Sequence, residues 1–154
     1  MKDVFTQSEN FLNEVFASAD LELSAKADES EGGCVLNIAG ADAALLRSEG
    51  GELLDALEHL VNQSFGRSLD QGERLVCDVE NFRAVRETEL RAMARHAASR
   101  VRQSGVPFTF GPMNANERRV IHLELAEDAE LHTESVGEGH DRRLKVSLRA
   151  TPKR

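Results

Sequence analysis

Apolar residues recur at intervals of three and four in three long segments of the chain, residues 3–18, 51–65 and 81–105. This spacing places the apolar side chains on one face of a helix and the polar ones on the other. Asn114, with Glu117 three residues later, has the spacing of a helix N-terminus and predicts a shorter helix after it. The pattern therefore predicts four helices.

Six shorter segments have the composition of strands, with turn residues between them. They are LELSAKA (21–27), CVLNIAG (34–40), RLVCDVE (74–80), PFTFGPM (107–113), LHTESVG (131–137) and RRLKVSLRA (142–150). The first two are separated by the turn-like DESEGG and the last two by EGHD, so each of these pairs is predicted to form a hairpin.

The order of these elements predicts an α+β protein built from two domains. Residues 1–80 have the order α-β-β-α-β, and residues 81–154 place helices on a small three-stranded sheet. No linker rich in proline or serine separates the two halves. We therefore expect the two domains to pack directly against each other.

Composition narrows the class of protein further. Of the 154 residues, 40% are hydrophobic and 30% are charged, which is typical of a globular chain, and no apolar run has the length of a membrane span. The amino-terminal segment MKDVFTQSENFLNEVF has acidic and polar residues where a signal peptide needs an apolar stretch. We expect a cytoplasmic protein with no membrane span.

The formal net charge of −8 is divided unevenly along the chain. Residues 1–80 hold 5 Lys and Arg against 17 Asp and Glu, whereas residues 81–154 hold 14 against 10. Phosphate attracts Lys and Arg and repels carboxylates. The second half is therefore the candidate for binding a polyanion, and the first half is not.

The sequence indicates neither a metal site nor an enzyme active site. Cys34 and Cys77 each lie in a predicted strand, without CxxC spacing and without a histidine at metal-ligand spacing, so we expect buried, reduced thiols. The chain has no nucleophile motif, no phosphate loop and no paired carboxylates. We predict no metal, no cofactor and no catalysis.

The segment NERRVIHLEL (116–125) places Arg118 and His122 four residues apart on a helix that also buries Ile121 and Leu125. Residues i and i+4 lie on one side of a helix, so the two side chains are neighbours. This spacing also fits a surface arginine whose stem covers the core and a histidine that is hydrogen-bonded locally. The residues around the pair decide between these interpretations.

Those residues carry a resemblance to a known domain. The stretch NFRAVRETELRAMARHAASRVRQSGVPFTFGPMNANERRVIH, followed by TESVGEGHDRRLKV, resembles the R-3-H domain, which is named for an arginine and a histidine separated by three residues. The pair here is Arg118 and His122, and the downstream T-x-S-x-G motif is Thr133, Ser135 and Gly137. The preceding half, with GADAALLRSEGGELLDALEHL, resembles the type II KH domain of bacterial Jag proteins. Together the resemblance spans roughly residues 3 to 149.

The resemblance implies a protein that binds single-stranded nucleic acid, RNA in a bacterial cytoplasm, without catalysis. It implies that Arg118 and His122 contact phosphate or base from an exposed edge of their helix. Arg118 has the forked donors for a phosphate, and His122 is placed to donate or to stack beside it. Arg119 is expected to project elsewhere and to meet phosphates from the flank. It would act there with three basic residues of the last hairpin, Arg142, Arg143 and Lys145.

The first half departs from the KH pattern at the loop that grips nucleic acid. A KH domain clamps the backbone with a GxxG loop, whose glycines allow close approach. The aligned residues here are Ser48, Glu49, Gly50 and Gly51, preceded by Arg47. Serine replaces the first glycine, with a loss of backbone freedom, and the glutamate would face phosphate. We therefore expect this half to be a degenerate KH scaffold or a protein-contact module.

One alternative function stays open from the sequence. In it, the chain is a protein-interaction adaptor whose acidic first half docks on a basic partner, and the Arg118–His122 pair binds little nucleic acid. The preference for RNA over DNA, the preferred base sequence and the oligomeric state also stay open.

Overall fold

The computed structural model describes residues 2–150, and the outer ends of the two predicted domains, residue 1 and residues 151–154, lie outside the described residues. The chain divides into two compact units with a boundary between Arg83 and Ala84. Each unit contains helices and its own three-stranded sheet, which confirms the α+β class. No helix within residues 2–150 is both long enough and apolar enough to cross a membrane.

Within residues 2–81, the first unit contains three α-helices and one mixed sheet. The helices are α1 (Asp3–Ser18), α2 (Ala43–Arg47) and α3 (Glu52–Phe65), and the strands are β1 (Ser24–Ser30), β2 (Gly33–Ala39) and β3 (Arg74–Val79). β2 is the central strand and pairs antiparallel with β1 and parallel with β3. The predicted first hairpin is therefore confirmed.

The core of the first unit lies between the helices and one face of this sheet. Leu12 and Phe16 of α1, Leu36 of β2, Leu54 of α3 and Leu75 of β3 are all at most 1% exposed. The helical positions recur at intervals that turn one face of each helix toward the sheet. Burial of these apolar side chains is the main source of stability for this unit.

Side chains of α1 and α3 cover both outer edges of the first sheet. Asn13 accepts a hydrogen bond from the backbone N–H of Ala25 (2.8 Å) and donates to its carbonyl (3.1 Å). Asn62 makes the same pair of bonds to Leu75 (3.0 and 2.6 Å). The outward backbone groups of β1 and β3 at these positions are therefore satisfied, as buried or partly buried strand edges require.

The two cysteines are buried in strands, as expected, and the structure shows that these strands are neighbours. Cys34 of β2 and Cys77 of β3 are buried free thiols. Burial raises the pKa of the Cys34 thiol to about 11 and that of Cys77 to about 12, because the charged thiolate is disfavoured away from water. Both thiols are therefore protonated at neutral pH, and they act as small apolar core residues.

Within residues 84–150, the second unit contains all but the first two residues of one α-helix, a second α-helix and an antiparallel sheet. The helices are α4 (Phe82–Ser104) and α5 (Ala115–Leu125), and the strands are β4 (Phe108–Thr109), β5 (Leu131–Val136) and β6 (Arg143–Leu148). β6 is central, with β4 on one side and β5 on the other. The last predicted hairpin is therefore confirmed.

The core of the second unit forms where the apolar face of each helix packs against one face of the sheet. Ala94 and Ala97 of α4 are fully buried, and their small size allows close packing between elements. Ile121 of α5 and Val146 of β6 are also fully buried. This packing determines which face of α5 is left for other contacts.

Three details of the predicted elements are wrong. β1 begins at Ser24 and ends at Ser30, so the first hairpin has a much shorter turn than DESEGG. The strand predicted over 107–113 is reduced to the two residues of β4. The helix α2 was not expected, because its five residues are too few to show a helical period.

Candidate nucleic-acid interface

The candidate site begins at the N-terminus of α5. The Asn114 side chain accepts a hydrogen bond from the backbone N–H of Glu117 (2.9 Å), which confirms the predicted N-cap. Ile121 and Leu125 then turn inward at an interval of four residues. One side of α5 is thus held in the core, and Arg118 and His122 lie along its margin.

A partly buried ion pair holds the start of α5 against α4. Glu117 is only 6% exposed, and its carboxylate accepts a hydrogen bond from Nε of Arg86 at 2.8 Å. Burial disfavours the charge of Arg86, but the hydrogen bond and attraction of Glu117 outweigh this and raise the pKa of the guanidinium above its ordinary value. The pair therefore fixes the position of the first turn of α5, which carries Arg118.

The two hydroxyl groups of the T-x-S-x-G motif hold the arginine and the histidine. Arg118 donates from one terminal nitrogen to Oγ of Ser135 (2.8 Å) and from Nε to the carbonyl of Met113 (3.3 Å). Nδ1 of His122 and Oγ1 of Thr133 are hydrogen-bonded at 2.5 Å. Residues two apart in a strand point to the same face, so β5 presents both hydroxyls to α5.

These side chains surround an open cavity of about 360 Å³. Arg118, Arg119 and His122 line its α5 side, and Thr133, Glu134 and Ser135 line its β5 side. The expectation that Arg119 projects to a separate flank is wrong, because Arg119 lines the same cavity as the pair. The helical turn from position 118 to position 122 of α5 therefore brings the side chains of both arginines and the histidine to the same cavity.

The cations of this cavity differ from the arginines of α4. Within residues 2–150, neither Arg118 nor Arg119 makes an ion pair with a carboxylate. Arg100 of α4 lies over the ring of Phe108, 5.9 Å from its centroid. The other α4 arginines all make ion pairs with carboxylates: Arg83, Arg86, Arg91, Arg95 and Arg102. Arg118 and Arg119 therefore keep their charge available for an anion at the cavity, whereas five of the six α4 arginines already face carboxylates.

The basic residues of the last hairpin lie elsewhere. Leu144 lines the cavity, and its strand neighbours Arg143 and Lys145 therefore point to the opposite face of the sheet. Nζ of Lys145 lies 4.0 Å from a carboxylate oxygen of Glu134. Arg142 is exposed just before β6. The structure thus brings Arg118, Arg119 and His122 together and places these three residues outside the cavity.

Thr133 and Ser135 were not among the predicted binding residues, although the motif that contains them was recognised. Their interval of two residues in a predicted strand was the signal that both hydroxyls share a face. The contact of these two hydroxyl groups with α5 depends on how the helix packs against β5, and the sequence interval alone does not predict that packing.

The predicted KH loop joins α2 to α3. Ser48 to Gly50 form a single turn of 3-10 helix, in which Glu49 has a left-handed backbone with φ of 54°. Gly51 follows with φ of 86°, and a Cβ there would lie 2.9 Å from the ring of Phe82. Ser48 has φ of −63°, so its backbone does not require glycine. Serine therefore fits this position without strain, and the residue with the unfavourable backbone is Glu49.

The charges of this loop do not favour phosphate. The one basic residue beside it, Arg47, donates to the carboxylate of Glu80 at 2.9 Å. Glu49 is exposed. A phosphate at this loop would therefore meet an acid and a neutralised arginine, in contrast to the cavity beside α5.

The comparisons with known proteins agree with this geometry in the second unit. Residues 88–148 match the model of the R-3-H domain, a range that includes Arg118, His122, Thr133 and Ser135. The chain therefore carries an R-3-H domain. The KH-like interpretation of the first unit lies outside the matched range.

The chain is homologous to bacterial proteins named RNA-binding protein KhpB, which supports the resemblance to the Jag family. It is 32% identical over 146 residues to that of Clostridium symbiosum, with 94% of this chain and 66% of the relative covered. It is 34% identical over 113 residues to that of Bacillus subtilis, with coverage of 72% and 54%. The relative from Lactiplantibacillus plantarum is 28% identical over 138 residues, with coverage of 90% and 42%. The chain thus spans about two thirds of the first relative and about half of the others.

Proposed function

We propose that this chain binds single-stranded RNA through the cavity lined by Arg118, Arg119 and His122. The observation that carries the proposal is the convergence at an open cavity of one histidine and two arginines that make no ion pair with a carboxylate within residues 2–150. A guanidinium group offers paired donors that match phosphate oxygens. A histidine ring donates a hydrogen bond or stacks on an unpaired base. The names of the relatives support RNA as the ligand.

The shape of the cavity favours a single strand over a duplex. Duplex RNA is bound by surfaces that reach across two successive minor grooves. The cavity here has a volume of about 360 Å³, which suits one or two unstacked nucleotides. Arg142, Arg143 and Lys145 are proposed as contacts for RNA that continues beyond the cavity, since they carry further positive charge outside it.

We propose binding without catalysis, in the bacterial cytoplasm. His122 is hydrogen-bonded to the hydroxyl of Thr133, which resembles part of a nucleophile and base arrangement. A catalytic arrangement also needs a group that orients the base, and within residues 2–150 no carboxylate is hydrogen-bonded to His122. The same residues contain no cluster of His, Cys, Asp and Glu suited to a metal ion.

We assign the proposed roles to the two predicted domains. Residues 81–154 form the RNA-binding R-3-H domain, and residues 1–80 form a KH-like scaffold with a degenerate loop. The left-handed backbone at Glu49 and the ion pair of Arg47 with Glu80 support the second assignment. The acidic excess of this half also keeps open a protein partner with a basic surface.

A fluorescence-anisotropy titration tests the binding of single strands. We expect the chain to bind short single-stranded RNA with micromolar affinity and to bind duplex RNA of the same sequence more weakly. The two arginines of the cavity alone should give a slope of about −1.4 when the logarithm of the binding constant is plotted against the logarithm of salt concentration, and each phosphate contact of the last hairpin should add about −0.7. Single-stranded DNA in the same series measures the contribution of the ribose.

Two results would contradict this proposal. Equal affinity for duplex and single strand would show that the cavity does not select unstacked nucleotides. Little binding to any nucleic acid at low salt would favour the protein-interaction adaptor.

A charge reversal at Glu49 tests whether the KH-like loop faces RNA. Lysine has the same backbone demands as the glutamate it replaces, so Glu49→Lys changes charge without new strain. If the loop lies near bound RNA, we expect affinity at low salt to rise by about two- to fivefold, the size of one solvated charge contact. The measurement is the same anisotropy titration, with Glu49→Gln to separate loss of the acid from gain of the cation.

The matched control is Glu14→Lys on α1. Glu14 is exposed in the same acidic unit, so this variant changes the net charge equally at a different place. Equal gains from both lysine variants would mean a general charge effect. No gain from Glu49→Lys would mean that this loop does not meet RNA.

A further inference from the structure

β5 forms one edge of the second sheet, and within residues 2–150 some of its backbone groups have no hydrogen-bond partner. The carbonyl of Leu144 accepts a hydrogen bond from the backbone N–H of Phe110 (2.9 Å), on the β4 side of β6. Leu144 lies opposite Ser135 of β5. In an antiparallel ladder, opposite residues exchange both hydrogen bonds or neither. The backbone N–H and C=O of Ser135 therefore point away from β6, toward the open edge.

Thr133 shares this orientation because it lies two residues earlier in the strand. The bond from the N–H of Arg149 to the carbonyl of Glu130 (2.7 Å) fits the same register, in which the even-numbered residues of β5 bond to β6. β6 is the sole strand neighbour of β5 within residues 2–150. In that range, no group is hydrogen-bonded to the backbone of Thr133 or Ser135.

This open edge contrasts with the edges of the first sheet. There, Asn13 and Asn62 satisfy the outward groups of Ala25 and Leu75. Two carboxylates do the same for further N–H groups, Glu9 for Ala27 and Glu58 for Cys77. The chain thus covers the strand edges of one sheet with side chains and leaves β5 open beside the cationic cavity.

The position of the free groups defines the chemistry of a ligand. The side chains of Ser135 and Thr133 hold Arg118 and His122, so their backbone groups lie at the rim of the same cavity. A ligand that satisfies this site must carry adjacent hydrogen-bond donors and acceptors as well as negative charge. The base and phosphate of a nucleotide have both.

We propose that the open edge of β5, at Thr133 and Ser135, binds the hydrogen-bonding edge of an unstacked RNA base while Arg118 and Arg119 hold an adjacent phosphate. This inference rests on the proposed RNA-binding function. A residue in an extended strand presents its backbone N–H next to its backbone C=O. A base likewise carries hydrogen-bond donors next to acceptors on the edges that single-strand-binding proteins contact, so the two can pair. An extended peptide also pairs with open strand edges, but the unneutralised arginines favour a phosphate-bearing ligand.

The decisive variants are Ser135→Ala and Ser135→Pro. Both remove the hydroxyl that holds Arg118, but only proline also removes the backbone N–H. Proline is tolerated in an edge strand where the N–H does not contribute to the ladder, which is the case at Ser135. We expect Ser135→Pro to bind short single-stranded RNA about fivefold more weakly than Ser135→Ala. Circular dichroism and thermal melting establish that both variants are folded.

An abasic oligonucleotide of the same length separates base contacts from phosphate contacts. We expect the two Ser135 variants to bind this probe with equal affinity, because it offers phosphates without a base edge. Equal affinity of the two variants for normal RNA would overturn the inference. The same penalty of proline on both probes would also overturn it, since the N–H would then contact phosphate or sugar.

Amide hydrogen exchange in the unchanged protein provides a test that does not depend on the folding of a variant. We expect the amides of Thr133 and Ser135 to exchange rapidly in the free protein and to become protected at saturating single-stranded RNA. Binding without this protection would reject the base contact and leave the proposed function intact. Absence of RNA binding by the unchanged protein would reject the proposed function itself. Protection by an unstructured peptide, but not by RNA, would assign the edge to a protein partner.

Discussion

Arg118→Ala is expected to weaken binding of single-stranded RNA by about tenfold. Arg118 is half-buried, and the Ser135 hydroxyl and the Met113 carbonyl hold its guanidinium at the cavity without neutralising it. A hydrogen bond to a charged group contributes about 1.5 kcal/mol or more, which corresponds to about a tenfold change in affinity. The measurement is anisotropy with a short single-stranded RNA at fixed salt.

Three further variants show whether this loss is specific to the cavity. Arg118→Lys retains the positive charge but loses the paired N–H donors of the guanidinium group, so it should bind RNA more tightly than Arg118→Ala and more weakly than the unchanged protein. His122→Ala should weaken binding several-fold. Arg95→Ala removes an exposed cation of α4 that is ion-paired with Glu124 and is expected to change affinity by about twofold or less. The assignment of the cavity fails if Arg95→Ala weakens binding as much as Arg118→Ala, or if Arg118→Ala lowers affinity only by unfolding.

Ile121→Ala is expected to lower the free energy of unfolding of the second unit by about 2 to 5 kcal/mol. Ile121 is fully buried against the sheet and α4, and removal of its outer carbons leaves a cavity that the rigid surroundings fill only in part. Because Arg118 and His122 flank this residue on α5, loss of packing here should also disturb the RNA cavity. Chemical denaturation followed by circular dichroism measures the change in stability.

Leu123→Ala on the same helix is the matched control. Leu123 is 59% exposed, so the same truncation at this position should change stability by about 0.5 kcal/mol or less. A large effect at Leu123 with a small effect at Ile121 would mean that α5 presents a different face to the core.

Much of the fold was predictable because the residues that form it are periodic. The helix predicted over residues 3–18 matches α1, and the N-cap at Asn114 begins α5 as expected. Long amphipathic helices and capping residues are determined locally, so the sequence contains their signal. The bounds of β1 were displaced by three residues, because the pairing of Ser24 with Ala39 is decided by the partner strand.

The candidate site was predictable in part for the same reason. The interval of four residues places Arg118 and His122 on one side of α5 by helical geometry alone. Arg119 was assigned to another surface, since adjacent helical residues diverge by about 100°. The structure shows that β5 lies close enough to the helix for Arg119 to line the same opening. The width of that opening is a property of packing between elements.

The sequence alone determined the class of the protein, the order of its helices and strands, and the residue types of its binding motif. These properties follow from the spacing of residues along the chain, because the local geometry of a helix or strand decides which residues lie on the same face. Only the tertiary structure decided that Ser135 and Thr133 hold the arginine and the histidine, that five of the six α4 arginines form ion pairs, and that Arg143 and Lys145 face away. Such contacts join residues distant in sequence, and they depend on packing and strand register, which no local pattern specifies.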